Sequence, residues 1–131
     1  MKTKLFALLL SISIITMSFI SVSAATMSKS LTATYSTTKI KATATYYTHE
    51  TGRWSLGNPQ ILSTSGKGGG ASKSGAAKTS QSGNEYKVRQ NYSISATNDN
   101  YVTTTGVKTF QWVVNGSTNS WVTSKCYVTN S

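Results

Sequence analysis

The chain has 131 residues, with 13 Lys plus Arg against 3 Asp plus Glu, and one each of His, Cys and Pro. So few acids, histidines and cysteines leave little material for acid–base catalysis or a metal site, and a single cysteine excludes an internal disulfide framework. Most of the remaining chain is Thr, Ser, Gly, Tyr and Val, which is a composition of β-strands and turns. The composition therefore excludes more functions than it identifies.

The N-terminus has the form of a secretory signal. Lys2 and Lys4 precede an uncharged, mostly apolar run over residues 5–20, and small residues follow at 21–25. A basic start, an apolar stretch and an A-x-A-like site are typical of a helical signal peptide that is cleaved. We therefore predict a signal peptide over residues 1–24, cut after Ala24 or, alternatively, after Ala25. An uncleaved membrane anchor is the other interpretation, because the run is almost long enough to span a bilayer.

Removing 24 of the 131 residues leaves a mature chain of 107 residues, with 11 basic and 3 acidic side chains and a net charge of +8. This length suits one domain, which we predict over residues 25–131. Cys126 has no partner in the chain and is expected to be buried as a small hydrophobic residue; the alternatives are a Cys126-linked dimer and a reactive thiol. A secreted domain without disulfides indicates a product of a Gram-positive bacterium, either extracellular or associated with the cell wall.

The mature chain alternates between apolar and polar residues with a period of two, which predicts β-strands. Four segments alternate clearly or are apolar on both faces: residues 39–47, 85–95, 107–114 and 121–129. Shorter strands are expected at residues 31–35, 53–56, 60–64 and 101–105. Turn-forming residues separate them, and Asn115-Gly116 predicts a hairpin. The expected fold is all-β, an antiparallel β-sandwich or small barrel of seven to eight strands.

One segment departs from this pattern. Residues 65–83 contain no aromatic or large aliphatic side chain, but they carry three lysines among many Gly and Ser residues. Such a segment buries too little apolar surface to offset the entropy lost on ordering. We therefore predict a flexible basic loop at 65–83. Its Gly66-Lys67-Gly68 sequence lacks the order of a phosphate-binding P-loop.

Catalysis is not expected. The only carboxylates of the mature chain are Glu50, Glu85 and Asp99, and each is explained by a turn or a strand end. A Cys126–His49 nucleophile pair is conceivable, but Cys126 alternates with core-facing valines, where a thiolate would be costly. The spacing of His, Cys and acids fits no metal site, so we predict neither a metal nor a cofactor.

The polar faces of the predicted strands combine cations with aromatic rings. If the strands lie in one sheet, these side chains share one exposed face. Rings stack on sugars, while ammonium and guanidinium groups attract phosphate and carboxylate. The alternative is that they are ordinary solvent-facing residues, with lysines guarding sheet edges against aggregation. The candidate ligand-binding residues are Lys39, Lys41, Tyr47, Lys87, Arg89, Trp121, Lys125 and Tyr127.

The sequence thus predicts a secreted, non-catalytic protein that binds an anionic or carbohydrate ligand at the bacterial cell surface. The expected partner is a cell-wall polymer, a glycan or an anionic envelope surface, because net positive charge attracts polyanions. Nucleic acid is not expected after export, and the membrane is involved only through the signal segment before cleavage. An exported antimicrobial (bacteriocin-like) or toxin-like polypeptide is the second hypothesis, and a small enzyme or enzyme inhibitor is the third.

Overall fold

A computed structural model describes residues 25–48 and 53–131. The predicted signal peptide over 1–24 lies outside the described residues and stays a prediction. Within them, the regular structure is antiparallel β-sheet together with one short 3-10 turn, Thr123–Lys125. The all-β, antiparallel prediction is confirmed. The described part of the chain includes no helix long and apolar enough to cross a membrane.

The first sheet has four strands arranged around a central one. Strand β1 (Ala25–Tyr35) and strand β2 (Thr38–Thr48) form a hairpin that is paired over its whole length. Strands β3 (Trp54–Leu56) and β4 (Gln60–Ser65) follow one another along the other edge of β2. The β1–β2 turn is tight and places Ser36 in the left-handed region, at φ 51°, as two-residue hairpin turns commonly require.

The second sheet has six strands and is built on a long hairpin of two 13-residue strands paired from end to end. Its strands are β5 (Gly70–Lys73), β6 (Lys78–Ser82), β7 (Glu85–Thr97), β8 (Thr103–Asn115), β9 (Ser120–Trp121) and β10 (Tyr127–Asn130). The order is β10-β8-β7-β5, with β6 on the same edge of β7 as β5, and β9 paired with β8. The described residues form ten strands instead of the predicted seven to eight, because β5 and β6 were not predicted and the predicted strand at 121–129 is divided into β9 and β10. The strands predicted at 101–105 and 107–114 form a single strand, β8.

The segment at 65–83, expected to be a flexible loop, instead contains strands β5 and β6. Both pair with β7, at Gly70↔Ser95 and Lys78↔Arg89 among other positions. The prediction counted only side-chain burial, whereas an edge strand is held by backbone hydrogen bonds to a long neighbour, which need no apolar side chains. Glycine also allows close approach, because a Cβ at Gly68, where φ is +58°, would lie 2.2 Å from Thr97 Oγ1.

The inner faces of the two sheets share one hydrophobic core. Trp112 lies at its centre, fully buried, with its ring centroid 5.8 Å from that of Phe110. Its indole Nε1 donates a hydrogen bond of 2.9 Å to the Lys29 carbonyl, which ties the second sheet to the first. The sheets also approach closely where Gly106 of β8 leaves room for the Tyr35 ring. The cluster of buried residues is Ala33, Ile40, Ala42, Ala44, Val88, Tyr92, Ile94, Phe110 and Trp112.

Tyr92 places a polar group without a described partner in this core. Its side chain is fully buried, and its hydroxyl has no hydrogen-bond partner among the described residues. An unpaired buried hydroxyl costs about 1–3 kcal/mol, so we expect Tyr92→Phe to raise the free energy of unfolding by about 1 kcal/mol. Urea denaturation of both proteins at neutral pH measures the change, and a loss of stability in the Phe variant would contradict the assignment of an unpaired hydroxyl.

The same hydroxyl makes stability depend on alkaline pH. Burial raises the pKa of Tyr92 to about 12, from 10.0 for a free tyrosine. Because ionisation is harder in the folded state, its contribution to stability is complete below pH 10 and is lost as pH rises through 10 towards 12. The Phe variant should therefore lose less stability over this window than the wild type. Burial also raises the pKa of Tyr46, so a residual decline is expected in both proteins.

Candidate anion-binding face

The outer side of the second sheet brings together cations from two strands and a turn. On β7, Lys87 and Arg89 alternate with the fully buried Val88 and the buried Gln90, so their side chains point away from the core. The register then places Tyr127 of β10 on the same side, because Tyr127 and Arg89 both pair with Gln111 of β8. Half of the predicted site residues are thus neighbours here: Lys87, Arg89, Lys125 and Tyr127.

Two open grooves run across this surface. One, of about 440 Å³, is lined by Glu85, Lys87, Lys125 and Tyr127 together with Ser80, Ser82, Gln111 and Val113. The other, of about 520 Å³, is lined by Lys78 and Arg89 together with Asn91, Thr109, Thr129 and other residues of the strands and of the β5–β6 connection. We call Lys78, Lys87, Arg89, Lys125 and Tyr127 the basic face. It combines four cations with the Tyr127 ring, which is 42% exposed, and the surrounding groove residues add hydroxyl and amide groups.

The charges on the basic face are unbalanced. Lys78 and Arg89 are direct partners across β6 and β7, an arrangement of like charges that destabilises a sheet. Glu85 does not relieve this repulsion, since both of its carboxylate oxygens accept hydrogen bonds from Lys125 Nζ, at 2.5 and 2.7 Å. Within residues 25–48 and 53–131 the other acid, Asp99, lies 3.9 Å from Lys67. No described acid therefore pairs with the cations of Lys78, Lys87 and Arg89.

Lys39, Lys41 and Tyr47 do not belong to this face. All three lie on β2, on the outer side of the first sheet, and Tyr47 is 40% exposed. A shared face required these strands to lie in one sheet, and that condition is not met, because β2 and β7 lie in different sheets that pack their inner faces on one core. The predicted residues therefore form two separate groups.

Trp121 is also misplaced by the sequence prediction, which put it on the polar face with Tyr127. It pairs with Val114 of β8, packs against the core and lies 6.5 Å from the Tyr46 ring, centroid to centroid. The predicted strand at 121–129 is interrupted by the 3-10 turn Thr123–Lys125, so β9 and β10 are separate strands. In one continuous strand Trp121 and Tyr127, six positions apart, would point to the same face. Because the turn interrupts the strand, they point to opposite faces.

Cys126 is partly buried and packs against the core, as expected for a small hydrophobic residue. Its Sγ accepts a hydrogen bond of 3.3 Å from the Val113 amide. Burial raises the pKa of its thiol, although the Val113 bond and the Lys29 charge act in the other direction. The thiol form is thereby favoured over the nucleophilic thiolate. His49 and Glu50 lie outside the described residues, and the described ones contain no group of three or more His, Cys, Asp or Glu that could hold a metal.

The sequence prediction missed Lys78 because this residue was assigned to a loop. Residues 78–82 are all polar and all exposed, so no apolar–polar alternation marks this strand in the sequence. A further surface feature was also missed, an aromatic corner where the Trp54 and Tyr86 ring centroids lie 4.9 Å apart in an edge-on arrangement. This corner lines a cavity of about 510 Å³ with Arg53, Ser55 and Gln81.

Comparison with known proteins adds no family to this geometry. No protein-family model matches the chain, and neither the curated proteins nor the solved structures give a significant match. The chemistry of the surfaces, and above all the unbalanced charges of the basic face, is therefore what indicates a function.

Proposed function

We propose that the mature chain is a secreted, non-catalytic β-sandwich protein that binds a polyanionic cell-wall polymer of a Gram-positive bacterium through its basic face. One observation carries the proposal: Lys78 and Arg89 face each other across paired strands, beside Lys87, with no described acid to balance them. A bound anion would turn this repulsion into attraction. In the free domain the neighbouring cations repel each other, and a bound anionic ligand would remove this unfavourable electrostatic energy.

The layout of the face favours an extended polymer over one small anion. Residues two apart on a strand are about 6.5–7 Å apart, so Lys87 and Arg89 suit successive anionic groups better than a single one. The two grooves follow one another along β7, and Ser80 and Asn91 line them with a hydroxyl and an amide group. Tyr127 adds a ring on which a sugar or polyol unit can stack. A phosphodiester polymer with such units fits all of these features.

The primary test is binding of the mature protein to purified lipoteichoic acid with a poly(glycerol phosphate) backbone, measured by biolayer interferometry at several salt concentrations. We expect saturable binding that weakens steeply with salt, because displaced counterions return to the polymer. A neutral polysaccharide of similar length is the control. Equal binding to both polymers, or binding unchanged by salt, would sink the electrostatic proposal.

Glu85→Gln separates polymer binding from catalysis. The change releases Lys125 from its carboxylate partner and adds one positive charge to the groove. We expect affinity for lipoteichoic acid to rise about threefold to tenfold, in keeping with the ~1 kcal/mol of a charge pair at 4 Å in water. Asp99→Asn is the matched control, since it adds the same charge beside Lys67, away from both grooves. Weaker binding by Glu85→Gln would contradict the electrostatic proposal, whereas a polymer-cleaving activity that disappears in this variant would indicate a catalytic role for the Glu85 carboxylate.

A further inference from the structure

A second group of lysines lies on the first sheet, on the side away from the core. Lys39 and Lys41 are exposed on β2, while Thr38, Ile40 and Ala42 between and beside them are fully buried. Both ammonium groups therefore point outward. Among residues 25–48 and 53–131 no acidic side chain forms an ion pair with either lysine. No described acid therefore balances the positive charge of these two lysines, as is also the case for Lys78, Lys87 and Arg89.

Hydroxyl side chains border these lysines from both neighbouring strands. Thr32 of β1 is the Cα partner of Lys41, while on β4 Ser63 pairs with Lys41 and Ser65 pairs with Lys39. The five residues line a groove of about 340 Å³, which we call the opposite strip. Ammonium and hydroxyl groups together are good donors to phosphate oxygens. The opposite strip thus repeats, on a smaller scale, the chemistry of the basic face.

The two surfaces cannot touch the same short stretch of ligand. Ile40 lies beneath the opposite strip and Val88 beneath the basic face, both without solvent exposure, so the core separates the two surfaces. Packed sheets are about 10 Å apart, and the side chains on their outer faces extend further in opposite directions. A polymer segment lying on one surface therefore leaves the other open to a second segment.

We propose that the domain bridges two polyanion chains, holding one on the basic face and the other on the opposite strip. This inference rests on the proposed function and commits to the same phosphodiester polymer on both sides, because both surfaces combine unpaired cations with hydroxyl groups. Once one surface is bound, a second polymer chain nearby meets the other surface at high effective concentration. The protein would then cross-link a polymer layer in addition to adhering to it.

The test uses beads coated with poly(glycerol phosphate) lipoteichoic acid and the mature protein in a reducing buffer. Binding to single beads is measured by fluorescence of labelled protein, and bridging by mixed clusters of beads in two colours. The wild type should form clusters that disperse again in excess protein, when every bead is saturated separately. For Lys39→Gln/Lys41→Gln we expect single-bead binding within about threefold of the wild type and cluster numbers at least about tenfold lower, since only the second attachment is removed.

Lys67→Gln/Lys73→Gln is the matched control, since it removes the same charge from residues that line neither the grooves of the basic face nor the opposite strip. It should cluster beads as the wild type does. Wild-type protein that binds single beads without clustering them overturns the bridging proposal alone. Clustering that survives in Lys39→Gln/Lys41→Gln also overturns it, and indicates a dimer presenting two basic faces. Protein that binds no bead at all refutes the proposed function together with the bridging.

Discussion

Lys87→Glu/Arg89→Glu is expected to weaken binding to lipoteichoic acid by about 100-fold or more at low salt. Each reversal replaces an attraction by a repulsion, and at 4 Å in water each unit charge contributes about 1 kcal/mol. Four units of charge are changed at the centre of the basic face, where Lys78 and Arg89 already oppose each other. The dependence of binding on salt should also become shallower. The slope of log affinity against log salt concentration should fall by about 0.7 for each polymer-contacting cation that the variant loses.

The matched control for this variant is Lys67→Glu/Lys73→Glu, which has the same net charge and changes no residue that lines either groove. If both double variants lost affinity equally, net charge alone would govern binding and the basic face would have no special role. Circular dichroism and urea denaturation of each variant verify that the fold is kept. We expect it to be kept, since Arg89 is exposed and relief of its like-charge pair with Lys78 favours the sheet.

Trp112→Ala is expected to lower the free energy of unfolding by about 3–5 kcal/mol, the range for removing a large aromatic side chain from a core. The reason is local: Trp112 is fully buried between the sheets, and its indole N–H donates to the Lys29 carbonyl across them. The total free energy of unfolding of a natural domain is about 5–15 kcal/mol, so the variant should unfold at a much lower urea concentration than the wild type. Far-ultraviolet circular dichroism measures this without relying on tryptophan fluorescence.

Two further variants serve as controls for the Trp112→Ala measurement. Trp112→Phe keeps an aromatic ring but removes the N–H donor, so its cost should be smaller than that of the Ala variant. Leu62→Ala, at a side chain that is 55% exposed, should change stability by no more than about 0.5 kcal/mol. A Trp112→Ala protein as stable as Leu62→Ala would contradict the assignment of Trp112 to the centre of the shared core.

Alternation along the chain predicted the inner and outer faces of the long strands correctly. Residues 39–47 and 85–95 were assigned Ile40, Ala42, Val88 and Ile94 as core-facing residues, and all four are fully buried. The prediction succeeds because side chains in a strand point to opposite faces with a period of two, and only one face of each strand is buried here. The outward orientation of Lys87 and Arg89 follows from the same rule.

Edge strands and strand continuity were beyond the reach of alternation. Strands β5 and β6 contain almost no apolar residues and form because the edge of β7 that is not paired with β8 offers free backbone groups. The turn at Thr123–Lys125 carries no Gly or Pro to announce it, yet it separates β9 from β10 and turns Trp121 inward. Both outcomes depend on what a neighbouring strand presents, which no local pattern contains.

The sequence by itself determined the scarcity of catalytic groups, the net positive charge and the outward direction of most cations, because these follow from composition and from the two-residue period of strands. Only the tertiary structure decided how the cations are grouped. Pairing brings Lys78 opposite Arg89, while the assignment of β2 and β7 to different sheets sends Lys39 and Lys41 to the other side of the molecule. Strand order is set by long-range packing and hydrogen bonding. The excess of basic over acidic residues in the sequence is therefore divided by the fold between two basic surfaces on opposite sides of the molecule.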